Sequence, residues 1–129
     1  MFLTLRTDNP DAEIGVFDTE GNQLDYYKWH ADRNLAKELL STIRDRLATQ
    51  KADWSAITGL VVYQGPGSFT GLRIGVTVVN AIAYGQQVPI VAEQGEEWIS
   101  KGLKRLASGD NDRLALPHYG AEANITLAK

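Results

Sequence analysis

Gly65-Pro66-Gly67-Ser68-Phe69-Thr70-Gly71-Leu72-Arg73-Ile74-Gly75 follows the apolar run Ile57-Thr58-Gly59-Leu60-Val61-Val62-Tyr63 and opens into a second, longer apolar stretch. A short β-rich run bounded by glycine and proline reads as a buried strand over 57–63, and Gly71 to Tyr84 reads as a helix. The loop thus lies at a strand-to-helix switch, where α/β sheets commonly build binding sites.

Upstream of the loop, Phe2 to Thr7, Glu13 to Phe17 and Leu24 to Trp29 read as three strands. Turn-forming Asp8-Asn9-Pro10-Asp11 and Asp18-Thr19-Glu20-Gly21-Asn22 separate them, which predicts an antiparallel meander. From Asp32, a natural N-cap, Leu35, Leu39, Leu40, Ile43 and Leu47 recur at helical spacing and predict an amphipathic helix. Downstream, Val88 to Ala92 reads as a short strand and Gln94 to Ala107 as a third helix carrying Trp98, Ile99, Leu103 and Leu106. The order βββαβαβα predicts an α/β fold with a mixed five-stranded sheet, antiparallel at first and parallel after right-handed crossovers. Residues 1–108 then form one lobe. Residues 109–129 form a linker and tail, with Arg113 to Leu116 as a possible short strand and little beyond it to build a core.

The second helix differs from the first. Leu72, Ile74, Val76, Val78, Val79, Ile82 and Ala83 surround most of its circumference, so it is expected to be covered on more than its sheet side. Gly71, Gly75, Ala81, Ala83 and Gly85 let another backbone approach closely, that of the first helix or of a partner chain. A leucine at position 75 is expected to block such association in a folded monomer.

Composition narrows the function. A chain of 129 residues with 43% hydrophobic content fits one domain. The sequence has no cysteine and two histidines far apart, which leaves no disulfide framework and a poor basis for zinc. A net charge of −3 with scattered Lys and Arg gives no basic footprint for nucleic acid. The N-terminus lacks a basic start with a long apolar run, and no stretch is long enough to span a bilayer, so a cytoplasmic protein is expected.

The loop fails three catalytic templates. A P-loop needs Gly-Lys where Gly71-Leu72 stands, a dinucleotide fingerprint needs glycine at Thr70, and a nucleophile elbow needs glycines where Pro66 and Thr70 flank Ser68. Helix-start amides able to favour an anion remain, so a nucleotide- or phosphate-binding protein using the Gly65–Gly75 loop stays open as an alternative. Capping by Ser68 or Thr70 is the simpler use. Arg73 is disfavoured at a helix start and is expected to reach a carboxylate or a partner surface. His30 reads as a local hydrogen-bond partner and His118 has no carboxylate at useful spacing. The tryptophans Trp29, Trp54 and Trp98 read as packing, and Lys101, Lys104 and Arg105 as a solvated face.

The run GPGSFTGLRIG after Gly59-Leu60-Val61-Val62-Tyr63, followed by Tyr84-Gly85 and Val88-Pro89-Ile90, resembles the signature of the bacterial TsaB family, also called YeaZ. His30-Ala31-Asp32 is similar to the family's His-Ser-Glu before the first helix. The resemblance extends from the first strand to about Ala107. It implies an actin-like, Hsp70-like (ASKHA) lobe and a scaffold or activator without catalysis or cofactor of its own. Its implied partner is TsaD, alongside TsaE and TsaC, in forming threonylcarbamoyladenosine in tRNA. Family members use the first two helices to contact TsaD or a second copy of themselves. That places the expected interface at Leu35, Leu39, Ile43, Leu72, Arg73, Gly75, Val76, Val79 and Ala83, with Gly65, Pro66, Gly67, Ser68, Phe69, Thr70 and Gly71 as the loop and helix cap.

Two departures stand out. The family is usually built of two related lobes, whereas this sequence carries one and a tail, whose Pro117-His118-Tyr119 is similar to the family's Pro-x-Tyr near the C-terminus. Arg6-Thr7-Asp8 stands where the family tends to read Asp-Thr-Ser, which puts an arginine in place of the aspartate that serves metal and phosphate in ATP-using relatives. Both departures weigh against ATP hydrolysis.

Overall fold

The computed structural model describes residues 1–119. Five strands, β1 (Phe2–Arg6), β2 (Asp11–Phe17), β3 (Gln23–His30), β4 (Gly59–Tyr63) and β5 (Ile90–Glu93), form one sheet in the order β3-β2-β1-β4-β5. The β1–β2 and β2–β3 pairs are antiparallel, and β1–β4 and β4–β5 are parallel. Helices α1 (Leu35–Ala48), α2 (Phe69–Gln86) and α3 (Trp98–Ala107) complete the expected order.

Side chains alternate between the two faces of a strand, so the sheet has two separate cores. Leu3, Leu5, Ile14, Val16, Leu60, Val62 and Ile90 point to one face, where α1 places Leu35, Leu39, Ile43 and Leu47, and α2 places Val76, Val79, Ile82 and Ala83. Each such leucine stabilises the fold by roughly 1.5–3 kcal/mol relative to exposure. On the other face Phe2, Phe17, Val61, Tyr63 and Val91 meet Trp98 and Leu106 of α3. Gly102 of α3 lies over Val61, where a Cβ would overlap the valine side chain, so the helix can approach only as glycine.

Several boundaries differ from those the sequence predicts. Asp32 does not cap α1: residues Asp32–Asn34 form a 3-10 turn in which Asp32 has φ +46°, and Asn34 precedes the helix without a side-chain cap bond. Leu40, counted with the apolar stripe, is 53% exposed. The apolar run at 57–58 precedes β4, because Asp53 caps a 3-10 turn at Trp54–Ala56 and the chain enters the sheet only at Gly59. Gln87, in the left-handed region, ends α2, and β5 starts after Pro89.

The expected linker behaves differently again. Beyond Ser108, the chain packs back along the sheet as a strap. The Asn111 carboxamide oxygen accepts from Ile90 N–H at 3.1 Å and the Asp112 carboxylate accepts from Ala92 N–H at 2.9 Å, while Asp112 N–H donates to Ile90 C=O at 2.8 Å. Side chains thereby satisfy the open edge of β5, which would otherwise invite pairing with another chain. Arg105 anchors the strap through Asp110, Asp112 and Glu93, so it belongs to an ion-pair cluster rather than a solvated face. Those carboxylates raise its pKa. Ala115 is 1% exposed and exchanges hydrogen bonds with Asn80 of α2. Arg113 to Leu116 forms no strand. The tail beyond Tyr119 lies outside the described residues.

Candidate functional site

The glycine loop between β4 and α2 is built around Thr7 and Asp8 at the end of β1. Ser68 N–H donates to Asp8 C=O at 2.8 Å, and the Ser68 hydroxyl caps α2 by accepting from Gly71 N–H at 3.4 Å. Thr70 lies inside the helix and does not serve as its cap. Thr7 is buried, and its hydroxyl donates to Gly71 C=O at 2.8 Å. A Cβ at Gly71 would overlap Thr7 C=O, one at Gly75 would overlap the Thr7 hydroxyl, and one at Gly67 would overlap Asp8. Three glycines therefore let α2 and its loop lie directly on the end of β1.

This corrects the reading of Gly75. What lies against Gly75 is the Thr7 side chain, just past β1 of the same chain, so a leucine there is expected to strike the core and to impair folding as well as association. At Gly65 the conformation itself demands glycine, with φ +115° and the His118 carbonyl where a Cβ would stand. The strap closes over this point: His118 N–H donates to Gln64 C=O at 2.8 Å, Gln64 donates to Leu116 C=O at 2.9 Å, and the Tyr119 ring packs on Phe69 at 4.5 Å.

Arg6, the departure from the family's pattern noted in the sequence, is engaged on both sides. Its guanidinium donates twice to Asp8, at 2.7 and 3.1 Å, and stacks 4.0 Å over the Tyr63 ring. The hydrogen bond from Arg6 to Asp8 is the main cause of its raised pKa. Nearby, Tyr26 donates to Glu13, and burial together with that carboxylate raises the phenol pKa well above its ordinary value. The arrangement is a closed ion pair that positions the loop, with its charges already matched.

The nine residues expected at a partner interface separate into two groups. Leu35, Leu39, Ile43, Leu72, Gly75, Val76, Val79 and Ala83 are all buried against their own sheet. Arg73 alone is exposed, with its guanidinium 5.8 Å from the Phe69 ring. What the two helices present outward is a groove that sequence reasoning did not assign. One part, of about 450 Å³, is lined by Leu40, Trp54, Thr77, Val78, Ala81 and Gly85. A second, of about 420 Å³, continues past Ala36, Ile74 and Thr77 to Arg73. Among the described residues, no carboxylate lines either part. Leu40 is 53% exposed in the groove, and Tyr84, three residues beyond Ala81 on α2 and outside the groove lining, is 81% exposed. The signal was available in the helical period: positions 73, 77, 81 and 84 follow each other at three- and four-residue steps, one face away from the buried set.

A family model described as "TsaD: tRNA N6-adenosine threonylcarbamoyltransferase" matches residues 29–99, from the end of β3 into α3. The Escherichia coli tRNA threonylcarbamoyladenosine biosynthesis protein TsaB is 34% identical over 89 residues, 64% of this chain and 38% of that protein. The chain belongs to the TsaB (YeaZ) family. The Haemophilus influenzae TsaB protein is 33% identical over 61 residues, 47% of this chain and 26% of its own length. In three dimensions, YeaZ from Pseudomonas aeruginosa superposes with a TM-score of 0.66 at 31% identity, over 72% of this chain and 43% of that structure. The chain thus spans less than half the length of these TsaB and YeaZ relatives. The matched region of this TsaB-family chain contains both helices of the groove and the glycine loop that orients them. Among the described residues, no helix is long and apolar enough to cross a membrane.

Proposed function

We propose that this chain is a non-catalytic scaffold or activator that binds a TsaD-like subunit through the α1–α2 groove, in the machinery that forms threonylcarbamoyladenosine in tRNA. The observation that carries this reading is the groove itself: an apolar strip with Leu40 exposed, Ala36, Ala81 and Gly85 keeping it shallow, and no carboxylate among the described residues of its lining. A contiguous apolar surface of this kind marks an interaction site, and its small residues admit a second pair of helices at close range. The names of the TsaB relatives and the TsaD family model supply the pathway. The engaged Arg6–Asp8 pair and the protein-bound loop support a role in shape rather than in phosphate chemistry.

The test is association of the purified chain with a TsaD-like subunit from the same cell, followed by light scattering and calorimetry. A one-to-one complex is expected, lost when Leu40 and Ala81 are both changed to glutamate. A stable dimer of this chain that excludes the TsaD-like subunit and resists the double change would refute the assignment. A TsaE-like ATPase is the expected further component.

A further inference from the structure

The face of the sheet opposite α1 and α2 carries a second groove. It lies between α3 and the β2–β3 turn, encloses about 500 Å³, and has Phe2, Phe17, Ile99 and Leu103 as an apolar floor. Ile99 and Leu103 are four residues apart on α3 and form one ridge, half-buried beside Phe2 and Phe17, which are themselves buried. Its rim is acidic. Glu96 and Glu97 stand just before α3 and Glu20 at the tip of the opposite turn, against a single cation among the described residues, Lys104. All three carboxylates are exposed, and no salt bridge among the described residues engages them.

We infer that this groove binds a cationic amphipathic helix of a protein partner, whose apolar stripe packs along the Ile99–Leu103 ridge while its lysines or arginines meet Glu20, Glu96 and Glu97. Three facts select that occupant. The apolar floor requires an apolar stripe. The carboxylates on both sides of the floor require positive charge on both flanks of that stripe, which only a helix with a basic polar face supplies. The ridge presented by α3 is the kind that a second helix receives in its own groove. The inference stands apart from the α1–α2 proposal, since the two grooves lie on opposite faces of the sheet and can be occupied together.

The experiment uses the full chain, isotope-labelled, titrated with a synthetic amphipathic helix of leucine and lysine. Amide shifts are expected at Thr19 to Gly21 and along Ile99 to Lys104. Changing Glu20 alone to lysine, in a turn away from any helix start, is expected to weaken binding about threefold, and E96K with E97K by about tenfold or more, with affinity falling as salt rises. The Leu40→Glu, Ala81→Glu chain is expected to bind the peptide as the parent does. Four results would overturn the inference: no binding, equal binding of a leucine and glutamate helix, equal binding of a scrambled peptide lacking an apolar stripe, or shifts confined to α1 and α2.

Discussion

The two faces of the sheet offer grooves of similar size and opposite character. Between α1 and α2 the lining is apolar and small, with Arg73 at one end and no carboxylate among the described residues. Between α3 and the β2–β3 turn the floor is apolar but the rim holds Glu20, Glu96 and Glu97. The difference has a structural cause. On the first face α2 is seated closely on the end of β1 through Thr7, Gly71 and Gly75, and α1 packs beside it through Leu35, Leu39, Ile43 and Leu47, which leaves the small outward residues of both helices along the groove. On the second face a single short helix covers β4 and β5, and Glu96 and Glu97, just before its first turn, are left facing the β2–β3 turn. The chain thereby presents two surfaces of different character, the first small and apolar, the second apolar with an acidic rim.

The sharpest way to break this comparison is to charge the first surface. Leu40→Glu with Ala81→Glu is expected to weaken binding of a TsaD-like subunit by roughly a hundredfold or more, because two buried carboxylates would lack partners. Thermal unfolding should be nearly unchanged, since both positions are exposed. E96K with E97K should leave that affinity within about twofold.

Next in size is the packing beneath the groove. Gly75→Ala places a methyl against the Thr7 hydroxyl and is expected to cost about 1–3 kcal/mol in urea unfolding. Adding Thr7→Ala should recover part of the loss. An unchanged Gly75→Ala protein would mean that α2 is not seated on β1 as described.

Asp25 gives a smaller effect with a pH signature. Arg46 donates two hydrogen bonds to it, at 2.7 and 2.9 Å, tying β3 to α1, and this holds the carboxyl below its ordinary range. A folded-state pKa below the unfolded value of about 3.9 means stability that is present above that value and lost as pH falls through the lower one. Asp25→Asn should therefore lower stability at neutral pH by about 1–2 kcal/mol and flatten the acid limb of the stability profile, read by denaturation between pH 2 and 7, roughly the window over which such a carboxylate titrates.

Two further substitutions separate the inner from the outer side of the first face and probe the second. Gly85→Ala, on the same helix as Gly75 but with nothing near its Cβ, is expected to raise stability by a few tenths to about 1 kcal/mol. Thr4 lies on the α3 face, 1% exposed, and its hydroxyl finds no hydrogen-bond partner among the described residues. Valine there should change stability by less than about 0.5 kcal/mol in either direction, because nothing polar is left unpaired.

The strand and helix order was legible because hydrophobic period changes cleanly along the chain, from the alternation of Leu3, Leu5, Ile14 and Val16 to the helical spacing of Leu35, Leu39, Ile43 and Leu47. The site was only half legible. Periodicity identifies buried positions, and the residues named for a partner were those of the inward stripe, which the sheet uses first. The outward strip is built from Ala36, Thr77, Ala81 and Gly85, whose small side chains give a weak hydrophobic signal. Glycines 71 and 75 announced a close approach, but only three-dimensional proximity could show that Thr7, 64 residues earlier than Gly71, makes it. The strap escaped for a similar reason: Asn111 and Asp112 look like linker residues, and their role as hydrogen-bond partners for the β5 edge depends on where Arg105 holds them.

The central claim is that the α1–α2 groove receives a TsaD-like subunit. Its most direct measurement is amide chemical-shift mapping of the labelled chain on addition of that subunit. The account predicts that Ala36, Leu40, Arg73, Thr77, Ala81 and Tyr84 respond first and most strongly. Responses centred on α3 and the β2–β3 turn, or none at saturating subunit, would contradict it.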